Sequence, residues 1–442
     1  MSQMRVKALK GEGKTVSRKA RKSGRASGTA SPGGSDILHK VFYQDDVASR
    51  SESEATPPET PPVADEDFFG GPGTPDDREL PAFDPKKLIS ELQDRKNHHN
   101  ETRELLIDHY IKMLRNRYGN ELDNVDTGEL IGAFIRGASR GVSTRERSLS
   151  IEAYSLTICI EDLNNAEASR ASLKQILTDD DNEDCQIRAL YALTLTIVHY
   201  GGGEEDIFDY LDFLVEAIQS NGESVNAIKK DGVTVALFEC WAYAATHVKS
   251  IWHQADYAMD AFVEKLDSTD AETQTAAAEC IAYIFEASRA HEEEEGEPFE
   301  LPYDPARVAT RIQDLSKESS KSMSRKDRRD LRDGLRSVVS SLENGVGPYY
   351  STAKDFNDRE VGYRYRLRKG GGSSSLGYSA YVESWHHYHR ITMLRNIFGT
   401  GLERHIDNET PMVIQCLEGL DWQFVLKTDS KTGGGPVHAS YF

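Results

Sequence analysis

Apolar residues recur at helical spacing through the middle of the chain. Ile207, Phe208, Leu211, Leu214, Val215 and Ile218 follow i, i+1, i+4, i+7, i+8, i+11, while Asp206, Asp209, Asp212 and Glu216 take the opposite face. The stripe returns in Ile251, Trp252, Ala255, Met259, Phe262, Val263 and Leu266. Between these amphipathic segments lie runs that are apolar nearly all round, at residues 187–198, 233–244 and 276–285. Helices of that kind are buried on more than one side. Aligning residues 149–160, 189–198, 236–245 and 277–285 gives a step of roughly 40–47 residues, the period of HEAT and armadillo stacks, in which no repeat buries its apolar face alone. The pattern predicts an all-α, armadillo/HEAT-like helical solenoid over residues 121–290, with a compact bundle as the competing arrangement.

The flanks differ in kind. Residues 1–84 join a Lys/Arg/Ser/Gly head to a Pro- and acid-rich stretch, and such composition predicts a disordered N-terminal arm. Its Ser/Thr-Pro steps at Ser31, Thr56, Thr60 and Thr74 read equally well as phosphorylation sites or as turn-forming linker dipeptides. A helical lead-in is expected over residues 85–120, with the polar run 97–100 interrupting its stripe. After the solenoid, the acid-rich run from His291 to Pro298 reads as a solvated loop, within a linker placed at residues 291–323.

A C-terminal unit is expected over residues 324–420, of small α+β type. Ser324 and Asp327 have the spacing of a capping box, Leu331, Leu335, Val338, Val339 and Leu342 supply the stripe, and Gly345 the stop. Residues 361–369 alternate with period two. A strand there sets Tyr363, Tyr365 and Leu367 on one face and Arg364, Arg366 and Arg368 on the other. A second strand is expected over residues 377–382, then a helix capped by Ser384 with His387, Ile391, Leu394 and Phe398 on one face. Residues 421–442 read as tail.

Charge sharpens this division. The chain has 442 residues and a formal net charge of −20, which excludes uniform coating of a polyanion. Residues 1–40 nevertheless carry ten Lys/Arg against two acids, residues 121–310 carry 13 against 38, and residues 311–369 carry 15 against nine. Cationic ends flank an acidic body. No run approaches a membrane span, so no membrane partner is expected. The N-terminal segment lacks the apolar core of a secretion signal, and its basic, acid-poor composition, although like a mitochondrial transit peptide's, offers no amphipathic face. The five cysteines are far apart without a C-x-x-C pair, which predicts small buried hydrophobes in a reducing compartment.

Catalytic constellations are not found: there is no Walker A motif, no G-x-G-x-x-G after a strand, no H-E-x-x-H and no G-x-S-x-G. The acid run 179–184 lacks the glycine and spacing of a calcium loop and reads as a connection between repeats. His386, His387 and His389 spread over different helix faces, so neither a metal nor a cofactor is expected. What remains is binding. Arg364, Arg366, Arg368 and Lys369 with Tyr363 and Tyr365 interleaved suit contact with RNA, guanidinium forks pairing with phosphates and rings stacking on bases. Arg325, Lys326, Arg328 and Arg329 extend the theme, as do Lys14, Arg18, Lys19, Arg21 and Lys22 of the head.

Two stretches carry a family likeness. Residues 324–339 open with Lys-Asp-Arg, and residues 382–408 place Trp385 three residues past a strand end, then Leu-Arg followed by Gly399-x-Gly401-Leu, His405 and Asn408. These resemble the C-terminal domain of the interferon-related developmental regulator family, and the preceding array resembles that family's armadillo-like domain by pattern. The resemblance spans about residues 120–420. It implies a non-catalytic protein associated with translationally inactive ribosomes, lying across tRNA sites and blocking the mRNA path, and also a link to transcriptional corepressor complexes. Residues 347–377 look like an insertion, and the chain ends without the basic helical tail associated with animal members, so the basic head is the candidate substitute.

Two functions follow as expectations. The first is a ribosome-associated translational regulator, a hibernation or repressor factor contacting rRNA and ribosomal proteins in the cytoplasm. The second is a nuclear co-regulator scaffold that holds partner proteins in an acidic solenoid groove.

Overall fold

The computed structural model describes residues 99–116, 126–160, 166–296, 301–318, 325–348, 366–370 and 376–426, together with Lys87 and Phe299. The expected arm of residues 1–84 lies outside these, as do most of the lead-in before His99 and Ser324 of the expected capping box.

Eleven helices precede the sheet within these residues. They are α1 (Asn100–Asn116), α2 (Thr127–Arg140), α3 (Thr144–Ile160), α4 (Arg170–Asp179), α5 (Glu183–Tyr200), α6 (Glu204–Gln219), α7 (Asp231–Ala245), α8 (Trp252–Lys265), α9 (Ala271–Glu295), α10 (Pro305–Glu318) and α11 (Arg325–Asn344). The odd-numbered helices stack in order, each on the next, and α2, α4, α6, α8 and α10 pack against them as a second layer. The all-α helical stack expected from the pattern is present.

The repeat is written in hydrogen bonds. Tyr110 on α1 shares its hydroxyl with Thr157 on α3 (2.7 Å), and Tyr154 on α3 shares its own with Thr196 on α5 (2.8 Å), separations of 47 and 42 residues. Buried glutamines serve the helix junctions. Gln186 donates to Leu177 O at the end of α4, and Gln274 to Leu266 O at the end of α8. A carbonyl at a helix end has no partner within its helix, so a buried side-chain amide removes a desolvation cost. Asp126, Asn182 and Asp270 cap α2, α5 and α9 through their side chains. An interior ion pair, Arg103 on Glu146 at 2.8 Å, joins α1 to α3, with both side chains almost wholly buried.

The C-terminal segment forms a third layer. Strands β1 (Arg366–Lys369), β2 (Leu376–Tyr381) and β3 (Trp422–Leu426) make an antiparallel sheet in the order β1-β2-β3, while α12 (Trp385–Phe398), α13 (Leu402–Asp407) and α14 (Pro411–Cys416) lie between β2 and β3. Helix α12 packs on α7, α9 and α3, α14 on α3, and α13 on α1. Helices α3, α7 and α9 are thus covered on both sides, which is why α3 is buried continuously from Ser150 to Ile160 and why the runs 240–245 of α7 and 280–285 of α9 are buried throughout.

Three expectations are corrected. The acid run after His291 is not a loop: α9 continues to Glu295 and stops at Gly296, whose φ of 88° is the left-handed conformation that glycine adopts without strain. Glutamate is a good helix former, and the His291 ring anchors the extension beside Trp252 and Phe299. The tail is also not featureless, because Trp422–Leu426 supplies the third strand. Trp252, placed on the apolar stripe of α8, instead stands about half exposed in its first turn and stacks on His253. Most of that stripe is buried, as are all five cysteines, which are free thiols.

Candidate nucleic-acid interface

The cationic strand is short and well placed. Leu367 is buried and Arg368 exposed, as alternation requires. The register sets Arg366 opposite Tyr381 and Arg368 opposite Ser379. On the other face of the sheet Lys369 pairs with Tyr378, which pairs in turn with Phe424 of β3. Tyr378 and Phe424 are about half exposed, at 48% and 55%, and meet edge to face with ring centroids 5.6 Å apart. Tyr381 is exposed as well. Tyr381 shares the face of Arg368, whereas Tyr378 and Phe424 share that of Lys369, so each face of the sheet sets an exposed ring beside a cationic strand position, the combination with which bases stack and phosphates pair.

Lys369 is engaged within the chain. Its ammonium lies 2.8 Å from Glu409, whose carboxyl it holds below the ordinary range, and Gly370 N donates to Asp407. These contacts fasten β1 to the end of α13. Arg325, Lys326, Arg328 and Arg329 lie in the first turns of α11. Tyr363, Arg364, Tyr365, Lys14, Arg18, Lys19, Arg21 and Lys22 lie outside the described residues. The structure therefore places Arg366, Arg368 and Lys369 together on β1.

The motif residues of the C-terminal segment sit where that layer joins the array. Trp385 is buried and donates from Nε1 to Ser341 Oγ on α11 at 2.6 Å. Gly401 has room for no side chain, since a Cβ there would lie 1.8 Å from Arg115 O at the end of α1. His405 is fully buried and uses Nε2 on Leu114 O, at 2.8 Å, and Nδ1 on Thr410 Oγ1. Gly399, at φ 54° and ψ −133°, turns the chain out of α12 in a conformation open to glycine. Asn408 is exposed and closes α13 through its backbone N–H on Arg404 O.

Further contacts hold α12 down, and sequence reading missed them. Glu286 on α9 accepts from Trp385 N (2.8 Å) and His386 N (2.9 Å), capping α12 from a neighbouring helix. Glu279 accepts from the Tyr388 hydroxyl at 2.9 Å. Glu239 accepts from Tyr191 (2.5 Å) and Asn396 (2.9 Å). Arg390 donates to Thr246 O at the end of α7 at 2.6 Å. Burial pushes the Glu239 carboxyl up to about 7 and that of Glu279 up to about 8, even though both accept hydrogen bonds. The signal was present in the sequence: Glu239 and Glu279 each interrupt an apolar run, and an acid there demands a polar partner.

Among the described residues no helix is long and apolar enough to cross a membrane. Comparison with known proteins finds a similar protein in Schizosaccharomyces pombe, itself uncharacterised, with 25% identity over 219 residues. That match covers 47% of this chain and 45% of the relative, so the chain spans under half of the relative's length. The family model described as interferon-related developmental regulator matches residues 76–343, the array through α11. A match over more than half the sequence, on a stack of paired helices, settles the affiliation: the chain belongs to the interferon-related developmental regulator family.

Proposed function

We propose that the chain is a non-catalytic, ribosome-associated regulator of translation that grips rRNA through its C-terminal sheet and the cationic start of α11, and acts by occupying space. The observation that carries this reading is a small sheet that exposes Arg368 and Tyr381 on one face and Tyr378 and Phe424, beside Lys369, on the other, in a chain whose residues 121–310 are strongly acidic. Asp209, Asp212 and Glu216 on α6 are exposed and repel phosphate, so the acidic layer turns outward while the sheet engages. No bond is made or broken; inhibition is steric.

The co-regulator reading has less support on one side of the array. The face of α3, α7 and α9 that a partner peptide would enter is covered by α12 and α14, and Glu239, Glu279 and Glu286 are bonded to α12.

Changing Arg364, Arg366 and Arg368 to Glu together is expected to abolish co-sedimentation with ribosomes while leaving the helical circular dichroism intact. Unchanged sedimentation of this variant would remove the sheet as the contact.

A further inference from the structure

Three side chains from three separate elements converge behind the C-terminal layer. His199 ends α5, His247 follows α7, and Cys416 ends α14. One potential ligand atom from each lies within 4.8 Å of the others. The two imidazoles are partly buried and the thiol is buried.

The hydrogen bonds around His247 fix its chemistry. Its Nδ1 lies 2.8 Å from Tyr243 O, a backbone carbonyl that can only accept, so Nδ1 carries the proton. Nε2 is then a bare lone pair, and it is buried without a hydrogen-bond partner. A buried polar atom in this state is open to a water or an ion as its partner. An imidazole whose second nitrogen is held by a backbone carbonyl is also the usual setting of a metal-binding histidine. Around it, the Tyr243 hydroxyl lies 2.7 Å from His199 Nε2 and 3.4 Å from Cys416 Sγ, in position to complete a set of four. Burial and the neighbouring Arg390 hold His199 down to about 4, and burial holds His247 well below its ordinary value, so both rings are neutral near pH 7.

We propose that His199, His247 and Cys416, with the Tyr243 hydroxyl in the fourth position, bind a borderline-soft divalent cation of the zinc class. Imidazole and thiolate are zinc's preferred donors, and tetrahedral bonding at ~2.0–2.3 Å needs donors roughly 3.3–3.7 Å apart, so on binding the three side chains draw in from their present spread within 4.8 Å while the Tyr243 hydroxyl moves off His199 Nε2. Binding releases the thiol proton to solvent and leaves one net positive charge beside Arg390. That guanidinium favours the thiolate but opposes the remaining charge, so the site is weaker than a four-cysteine structural centre. Its occupation would pin α14 to α5 and α7 and tighten the third layer. No sequence motif marks the site, because its ligands are spread over more than two hundred residues and follow no local spacing.

The test uses the full chain and cobalt(II) as a spectroscopic stand-in. One equivalent should produce a thiolate-to-metal charge-transfer band, which one equivalent of zinc then removes. Cys416→Ser should abolish the band, and His247→Gln should weaken cobalt binding at least tenfold. Absence of the band in the folded wild-type chain would overturn the proposal without reliance on any variant, and so would its persistence in Cys416→Ser.

Discussion

Replacing Trp385 by alanine is expected to destabilise the protein by roughly 3–5 kcal/mol, the range for deleting a large buried aromatic. The indole is 1% exposed and packs edge to face against Tyr388, with ring centroids 5.2 Å apart. Its Nε1 also donates to Ser341 Oγ, and that hydroxyl donates onward to Val346 O. The substitution therefore opens a cavity between α11 and α12 and leaves the Ser341 hydroxyl without its donor. The loss should be local at first. Amides of α12 should exchange faster with solvent, whereas those of α5 and α7 near the second layer keep their protection. Denaturant unfolding with hydrogen exchange checks this. Uniform loosening of all eleven array helices would mean that the third layer and the array unfold as one unit.

The second large effect is on pH. Burial lowers six histidines: His386 and His389 to about 3, His199 to about 4, and His247, His387 and His405 in the same direction. In the unfolded chain each titrates near 6.5. Below that pH the unfolded state takes up protons that the folded state refuses, so stability falls as pH falls from 6.5 towards 3–4. Each histidine contributes about 1.4 kcal/mol per pH unit while it is in the window. The buried glutamates act oppositely. Glu239 and Glu279 titrate near 7 and 8 when folded, and burial raises Glu286 as well. Between pH 4.5 and 8 the folded state holds protons that the unfolded state gives up, so their contribution weakens stability as pH rises. Histidines outnumber glutamates where the windows overlap, and only glutamates titrate above 6.5. Stability should peak near pH 6.5, fall steeply in acid and decline gently towards pH 8. Midpoints of denaturant unfolding across this range test it, and Glu279→Gln should flatten the alkaline side.

Much of the fold was legible because local periodicity records burial. The stripe of Ile207, Leu211, Leu214, Val215 and Ile218 marked a one-sided helix, and the nearly all-apolar run at 233–244 marked a helix covered twice. What covered it was not legible. The pairing of α12 with α9 joins residues 99 to 109 positions apart, and that with α7 residues farther still, and no local pattern encodes such a contact. The acid run after His291 misled for a related reason, since exposed glutamates are compatible with loop and helix alike, and the stop at Gly296 decides between them. At the candidate interface the alternation of Leu367 and Arg368 was readable from sequence. The exposed rings of Tyr378 and Phe424 were not, because residues 421–442 read as tail and the pair exists only through the β2–β3 register.

The proposed grip on RNA is electrostatic, with segregated cationic groups acting against a net negative body. Sedimentation of the purified full chain with purified ribosomes over a series of salt concentrations tests it most directly. Neutralising several phosphates releases counterions, so the logarithm of the association constant should fall linearly with that of salt, at a slope of about −0.7 to −0.9 per contact. A slope of several units is predicted. Binding indifferent to salt, or absent even at low salt, would contradict the account.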